Sequence, residues 1–310
     1  MKLSIIIVNY KTYDLTKQTI DSVLAEDVAF KYEIILVDNA SLDGSIEKLQ
    51  VDFEQQIPSG RLKVIVNPAN VGFSKGNNVG MRIATGEYIL LLNSDTYLGD
   101  QCLTKCMDYI EAHPAIGALG CKVVLPDGTL DHACKRGFPT PMVSLQYLLK
   151  LERLDKQKYG RYDALHLGED EIGEVDCLMG AFMLMPRKAI DEVGMLDEDF
   201  FMYGEDIDLC YRIKQGGYKI MYYPQAMIIH YKGGSSKKRR TKVIYNFHHA
   251  MWIFYQKHYQ GVYNFAVTGL VWLGIWSKYV LAIGKNGLKH SGETRESSGI
   301  DKGVGNDYSL

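Results

Sequence analysis

Four short β-rich runs, each closed by or leading into polar residues, constrain this chain more than any other feature. Leu3–Asn9 is an apolar run of strand length, the pattern of a strand buried on both faces. Tyr32–Asp38, Leu62–Val66 and Tyr88–Asn93 repeat it. Between them lie helix-compatible stretches: Asp14–Glu26, Asp43–Val51 and the Gly-rich Val71–Ala84. In the first of these Leu15, Ile20, Val23 and Leu24 recur at roughly helical spacing, and Asp14 can cap. Strand–helix–strand repetition at this spacing demands right-handed crossovers and therefore an α/β fold with a mostly parallel central sheet and flanking helices. Ligands bind such a sheet at the carboxyl ends of its strands. Asn9, Asp38, Asn67 with Asn70, and Asp95 stand at those ends in turn. Taken singly, each reads as a helix cap or turn residue. Together they describe one polar crevice with carboxylates available to a base, a ribose or a metal.

The second part of the chain is less regular. Residues 126–172 hold Pro126, Pro139 and Pro141 and the charged stretch Lys150–Lys158. They read as an excursion over the sheet that could take part in an acceptor site. A strand over Val175–Met185, a helix near Arg187–Val193, a helix over Gly204–Gln215 and a strand pair (Tyr218–Tyr223 and Ala226–His230) follow. None of the six cysteines forms C-x-x-C or has zinc-ligand spacing, which reads as reduced core thiols. The N-terminal apolar run is too short for a signal segment, so a cytoplasmic location is expected.

The net charge of −2 argues against bulk nucleic-acid binding, but it hides a segregation. Asp197, Glu198, Asp199, Glu205, Asp206 and Asp208 lie within twelve residues without a base; Lys232, Lys237, Lys238, Arg239, Arg240 and Lys242 lie within eleven without an acid. No Gly-x-Gly-x-x-Gly follows a strand and no P-loop motif occurs, which disfavours a dinucleotide oxidoreductase and a P-loop NTPase. A nucleotide diphosphate here would need a divalent cation, and Asp95 is the natural ligand. A helix starting near Gly204 would carry Glu205, Asp206 and Asp208 in its first turn, where the macrodipole favours them. An i,i+4 pair accounts for Asp208 and Arg212. It does not account for Phe200, Phe201 and Tyr203 beside so many acids. A carboxylate desolvated by those rings is a candidate general base.

In that order and spacing, five segments resemble the family 2 glycosyltransferases of GT-A fold, most nearly the bacterial rhamnosyltransferase-like members. They are Ile5–Tyr10, Val37–Ser45, Asn70–Asn78, Leu91–Asp95 and the run from Gly194 through Arg212 to His230. The resemblance covers about residues 1–235. It implies that Asp38 holds the pyrimidine of a nucleotide-sugar, and that Asn9, Tyr10, Asn70, Gly72, Phe73, Asn77, Asn93 and Ser94 line the donor site. Asp95, as the last acid of a D-x-D element, would bind Mn²⁺ or Mg²⁺, with His230 completing the metal or diphosphate site. Asn93 departs from that element by replacing its first acid, leaving one carboxylate fewer. Glu205-Asp206 matches the family's Glu-Asp element, with Asp206 as catalytic base. The implied reaction is inverting transfer of a sugar, L-rhamnose from dTDP-rhamnose in the first instance, onto a glycan or polyprenyl-pyrophosphate-linked acceptor in cell-surface polysaccharide synthesis. A UDP-sugar donor, a nucleotidyltransferase and a non-catalytic sugar-nucleotide-binding subunit are the alternatives. The nucleotidyltransferase would need a Gly-rich triphosphate loop, and residues 8–20 have no glycine.

Beyond a 1–235 catalytic domain, residues 236–284 read as a basic and apolar helical extension and 285–310 as a disordered tail. Val262–Ile283 has sixteen apolar residues of twenty-two and one charge, Lys278. As a helix it would be about 33 Å long, against a hydrocarbon core of about 30 Å. In-plane association with the inner face of the cell membrane, packing on the catalytic domain or a second subunit as in a homodimer, and a true span are all open.

Overall fold

The computed structural model describes residues 1–232 and 240–297; Lys237, Lys238 and Arg239 of the basic block lie outside them. The chain divides into two compact units, Met1–Lys237 and Lys238–Leu310.

The first unit opens with β1 (Leu3–Asn9), α1 (Tyr13–Leu24), β2 (Tyr32–Asp38), α2 (Ser45–Asp52), β3 (Leu62–Val66), α3 (Phe73–Ile83) and β4 (Tyr88–Asn93). Each strand keeps the bounds its apolar run predicts. Leu3, Ile5, Ile6 and Ile7 of β1 and Ile34, Ile35, Leu36 and Val37 of β2 have no exposed surface, as expected of strands covered on both faces. These four strands are parallel, in the order β3-β2-β1-β4, with Asn9 level with Asp38 and Val8 level with Asn93. The sequence order changes direction at β1, and the polar strand ends gather at that switch point.

Next come β5 (Thr96–Leu98), α4 (Cys102–Ala112), β6 (Ile116–Val124), α5 (Pro141–Leu148), α6 (Lys156–Tyr159), β7 (Gly173–Glu174), β8 (Phe182–Pro186), α7 (Arg187–Val193), α8 (Glu205–Gln215) and β9 (Lys219–His230). Among the described residues nine strands form one sheet, in the order β3-β2-β1-β4-β8-β6-β9-β5, with β7 on β9. Beyond β4 the sheet is mixed rather than parallel: β8 runs antiparallel to β4 and β6, and β6 runs parallel to β9. The expected strand from Val175 is shorter, starting at Phe182: residues 176–180 leave the ladder, and Cys177 bridges Arg136 instead. The expected strand pair is one bulged strand. Tyr223 faces Cys121 and Met227 faces Lys122, so Pro224, Gln225 and Ala226 bulge out at a proline that has no N–H to donate.

The second unit contains α9 (Arg240–His258) and α10 (Phe265–Ser297), tied by Tyr255 Oη to Thr268 Oγ1 at 2.9 Å. Within α10, Phe265–Lys285 is long and apolar enough to cross a membrane, with a mean hydropathy of 1.5 and none of it buried. The helix runs to Ser297, into the stretch expected to be a structureless tail, and residues 298–310 of that stretch lie outside the described residues. No proline stops it, and extending a formed helix fixes one residue per added hydrogen bond.

A buried carboxylate sits within the sheet itself. Glu33 accepts hydrogen bonds from Ser4 Oγ at 2.7 Å and Thr85 N at 2.7 Å, and pairs with Lys63 Nζ at 2.6 Å. Burial alone would raise its pKa; Lys63, Thr85 and Ser4 overcome this and hold it at about 2. Its folded pKa is depressed, so its contribution is complete above the ordinary carboxylate range and is lost as pH falls toward 2. Glu33→Gln should therefore cost about 1–3 kcal/mol at pH 7 in urea unfolding, and the gap to wild type should close as pH falls below about 4.

Candidate active site

The end of β1 is a hub. Asn9 Nδ2 donates to Asp38 Oδ1 at 2.7 Å and Ser41 Oγ at 3.1 Å, while its Oδ1 accepts from Thr12 Oγ1 at 3.0 Å and Thr16 Oγ1 at 2.9 Å. Thr12 Oγ1 lies 3.3 Å from Ser94 Oγ, which ties the hub to the loop after β4. Asp38 also accepts from Ser41 Oγ on Oδ1 and from Ser41 N on Oδ2, at 2.6 and 3.0 Å. Oδ2 thus retains acceptor capacity for one more donor. Lys11, Ala40 and Leu42 follow these strands in left-handed backbone, at φ of 58°, 56° and 51°. Strain of this kind in non-glycine residues persists where surrounding bonds over-determine it. Tyr10 is half-buried beside them, with Lys11 Nζ 5.6 Å from its ring centre.

The loop before α3 joins this crevice to the acidic stretch. Asn39 Nδ2 donates to Gly72 O at 2.8 Å, and Asn70 Oδ1 accepts from Gly72 N at 3.0 Å. Phe73 N then donates to Phe201 O at 2.7 Å, and Ser74 Oγ to Phe200 O at 2.6 Å. Gly72 has φ +91°, and a Cβ there would stand 2.4 Å from Phe201 O, so glycine is required twice over. Asn77 turns inward, donating to Phe73 O at 2.9 Å, and is buried. It holds the start of α3 rather than facing the crevice.

Tyr203 and Gly204 are both left-handed, at φ 71° and 81°, and this turn starts α8 where the acidic pattern predicts. Its acids do different work. Glu198 pairs with Arg82 at 2.6 Å, and Asp208 pairs with Arg212 at 2.8 Å as the spacing predicts. Asp206 Oδ2 accepts from Arg136 Nη2 at 2.7 Å and from Gly180 N at 3.4 Å, and its Oδ1 accepts from Ile207 N at 2.8 Å. Arg136 is itself fixed by Ala133 O and Leu178 O, each at 3.0 Å. Glu205 is buried with Oε2 lacking a hydrogen-bond partner. Desolvation and the neighbouring Asp206 charge push its pKa up to about 8, so at neutral pH it holds its proton.

The third cluster lies where β9 ends. His230 Nε2 is 3.2 Å from Asp95 Oδ1 and 3.3 Å from Asn93 Nδ2, and His230 Nδ1 is 3.5 Å from Asp131 Oδ2. Lys232, counted with the basic block, instead pairs with Asp131 at 2.8 Å. Burial would lower the imidazole pKa, but Asp131 and Asp95 raise it to about 9. Among the described residues no three His, Cys, Asp or Glu side chains are grouped to hold a metal unaided. Asp95 and the His230 imidazole are nevertheless donors that suit a cation completed by a diphosphate, while Asn93 turns its Nδ2 toward His230 and leaves its buried Oδ1 unpartnered. Backbone bonds connect this cluster to Asp206, since Asn93 N donates to Ala181 O at 3.1 Å and adjacent Gly180 N faces Asp206.

The family model for glycosyl transferase family 2 matches residues 4–194. The chain belongs to that family. This glycosyltransferase is 26% identical over 244 residues to an N-acetylglucosaminyl-diphospho-decaprenol L-rhamnosyltransferase of Mycobacterium tuberculosis, covering 74% of this chain and 76% of that one. It is 25% identical over 236 residues to the uncharacterised protein y4gI of Sinorhizobium fredii, covering 75% of this chain but a quarter of that longer protein. Among solved structures, the mannosyltransferase PcManGT from Pyrobaculum calidifontis, in complex with GDP-Man and Mn²⁺, has a TM-score of 0.59 at 16% identity. The match covers 98% of this chain and 76% of that one, and it concerns the GT-A fold alone.

Arg136, Asp131, Thr12 and Ser41 were not singled out by sequence. Arg136 and Asp131 lie in the irregular 126–172 stretch, where no periodicity marks a side chain, and only long-range packing brings them to the site. Because the folded state raises the Glu205 pKa, its burial becomes costlier as pH climbs from about 4.5 to about 8. Glu205→Gln should therefore melt near wild type at pH 5 and about 5 °C or more above it at pH 9 by calorimetry.

Proposed function

We propose that this glycosyltransferase catalyses inverting, single-displacement transfer of L-rhamnose from dTDP-rhamnose to a polyprenyl-diphosphate-linked glycan at the cytoplasmic face of the membrane. The observation that carries the chemistry is the Arg136–Asp206 pair, one residue away from the backbone that anchors Asn93. Adjacent Cα atoms are about 3.8 Å apart, so a carboxylate and a diphosphate-and-cation site are held on one short segment. The relative that transfers L-rhamnose supports the donor and the lipid-diphosphate acceptor. The Mn²⁺ and sugar nucleotide in the PcManGT complex support a cation-assisted nucleotide-sugar. The apolar helix Phe265–Lys285 supports a membrane location.

Asp206 is the base in this reading. Its Oδ2 is committed to Arg136 and Gly180, so Oδ1, which accepts one backbone bond, takes the proton of the acceptor hydroxyl. Arg136 aims that carboxylate. Glu205, which holds its proton at neutral pH, adds no second negative charge beside it. Asn9, Asp38 and the Asn70–Phe73 loop border the nucleoside. Asp95 and His230 would hold the divalent cation, which supplies positive charge to the departing diphosphate. His230 would have to give up the proton that Asp131 and Asp95 keep on it before it could ligate a cation.

Asp206→Asn should lower transfer about 10²–10⁴-fold while leaving donor Kd, measured by calorimetry, within about twofold of wild type. Transfer near the wild-type rate would refute the base assignment. Arg136→Gln should lower kcat while leaving donor Kd within about twofold of wild type, since Asp206 loses the contact that aims it; an unchanged kcat would confine Arg136 to folding.

A further inference from the structure

The excursion between Arg136 and β7 carries an apolar and basic surface that the reaction above does not use. α5 contains Met142, Val143, Leu145 and Leu148, yet no residue of this helix is buried. Soluble helices bury their apolar face, and one that does not is unpartnered. The surface continues past the helix: Leu149 is 61% and Leu154 79% exposed. Lys150, Arg153, Lys156, Lys158 and Arg161 are all exposed around these side chains, against two acids, Glu152 and Asp155. Asp155 is engaged in capping α6.

Exposed leucines ringed by lysine and arginine match one kind of partner, a surface with negative charge outside and hydrocarbon directly beneath. A polar protein partner would leave the leucines wet, and a neutral apolar one would desolvate the bases. We propose that residues 141–161 are a docking surface for an anionic lipid bilayer. Tyr147 and Tyr162 pack at 4.7 Å, and Tyr162 O accepts from Gly137 N at 2.8 Å, so the surface is braced against the segment that carries Arg136. Four residues separate Arg136 from α5, a reach of at most about 17 Å. A bilayer seated there lies within one short loop of the Arg136–Asp206 pair. Delivery of a lipid-linked acceptor by this route rests on the function proposed above; the docking itself does not.

The test uses the full chain, whose six native cysteines are all buried, so that a thiol-reactive environment-sensitive dye reports a single introduced site. Leu149→Cys carries the dye on the surface, and Val51→Cys, on α2, carries it elsewhere. With vesicles containing about a third phosphatidylglycerol, the dye at 149 should brighten at least threefold and shift to the blue, and the dye at 51 should not. Reversing Lys150, Arg153, Lys156 and Lys158 to Glu in the Leu149→Cys chain should abolish the response, with far-UV circular dichroism unchanged. The proposal is overturned if the dye at 149 stays dark on such vesicles, whether or not the chain sediments with them. It is also overturned if 149 and 51 brighten alike, or if charge reversal leaves the response intact. If docking holds while no rhamnosyl transfer is detected, the failure lies with the donor or acceptor assignment and not with the surface.

Discussion

Burial of β1 on both faces is the constraint from which the rest follows. A strand whose Leu3, Ile5, Ile6 and Ile7 are wholly covered has no room for polar side chains along most of its length. Polar chemistry is pushed to its carboxyl end, where Asn9 can spend all of its amide on neighbours. Those bonds set the end of β2 through Asp38 and Ser41, and the loop after β4 through Thr12 and Ser94. One asparagine thus fixes three strand ends relative to each other, and the crevice is the space they leave.

The acidic block, which the basic block cancels in the net charge, does not act as a block in the structure. Glu198 and Asp208 are structural ion-pair partners, whereas Glu205 and Asp206 form a contrasting pair, one buried without a cation and one against Arg136. On the basic side, Lys232 serves Asp131 beneath His230. Asn93, where the family pattern has an acid, leaves Asp95 as that element's carboxylate, and Asp131 supplies a second from a different part of the chain, on the far side of the imidazole.

The parallel half of the sheet was legible because each strand is a local event. Leu3–Asn9 and Tyr32–Asp38 announce themselves by unbroken apolar runs, and their ends by Asn and Asp. The same held for α8, whose acidic first turn follows from its own dipole. Legibility failed where structure depends on distant pairing. β8 is cut short by the Cys177–Arg136 bridge, and the antiparallel turn of the sheet beyond β4 has no local signature. Arg136 was missed for that reason: a lone arginine in an irregular stretch looks like any surface charge until Asp206 is placed against it.

The bulge in β9 determines which side chain reaches the crevice. Ile220, Tyr222, Ala226, Ile228 and His230 are all buried, but the even positions change face at the bulge: Tyr222 lies level with Gly120 and Ile228 with Val123, which point to opposite sides of β6. Facing alternates with every residue of a strand. Three residues, Pro224 to Ala226, are looped out, and that count sets the parity of everything after them. Looping out two residues instead of three would leave the sequence of the strand unchanged yet present Ile229 where the imidazole now stands. The length of a proline bulge, rather than the identity of any residue in it, thereby decides whether Asp95 meets a histidine or a hydrocarbon.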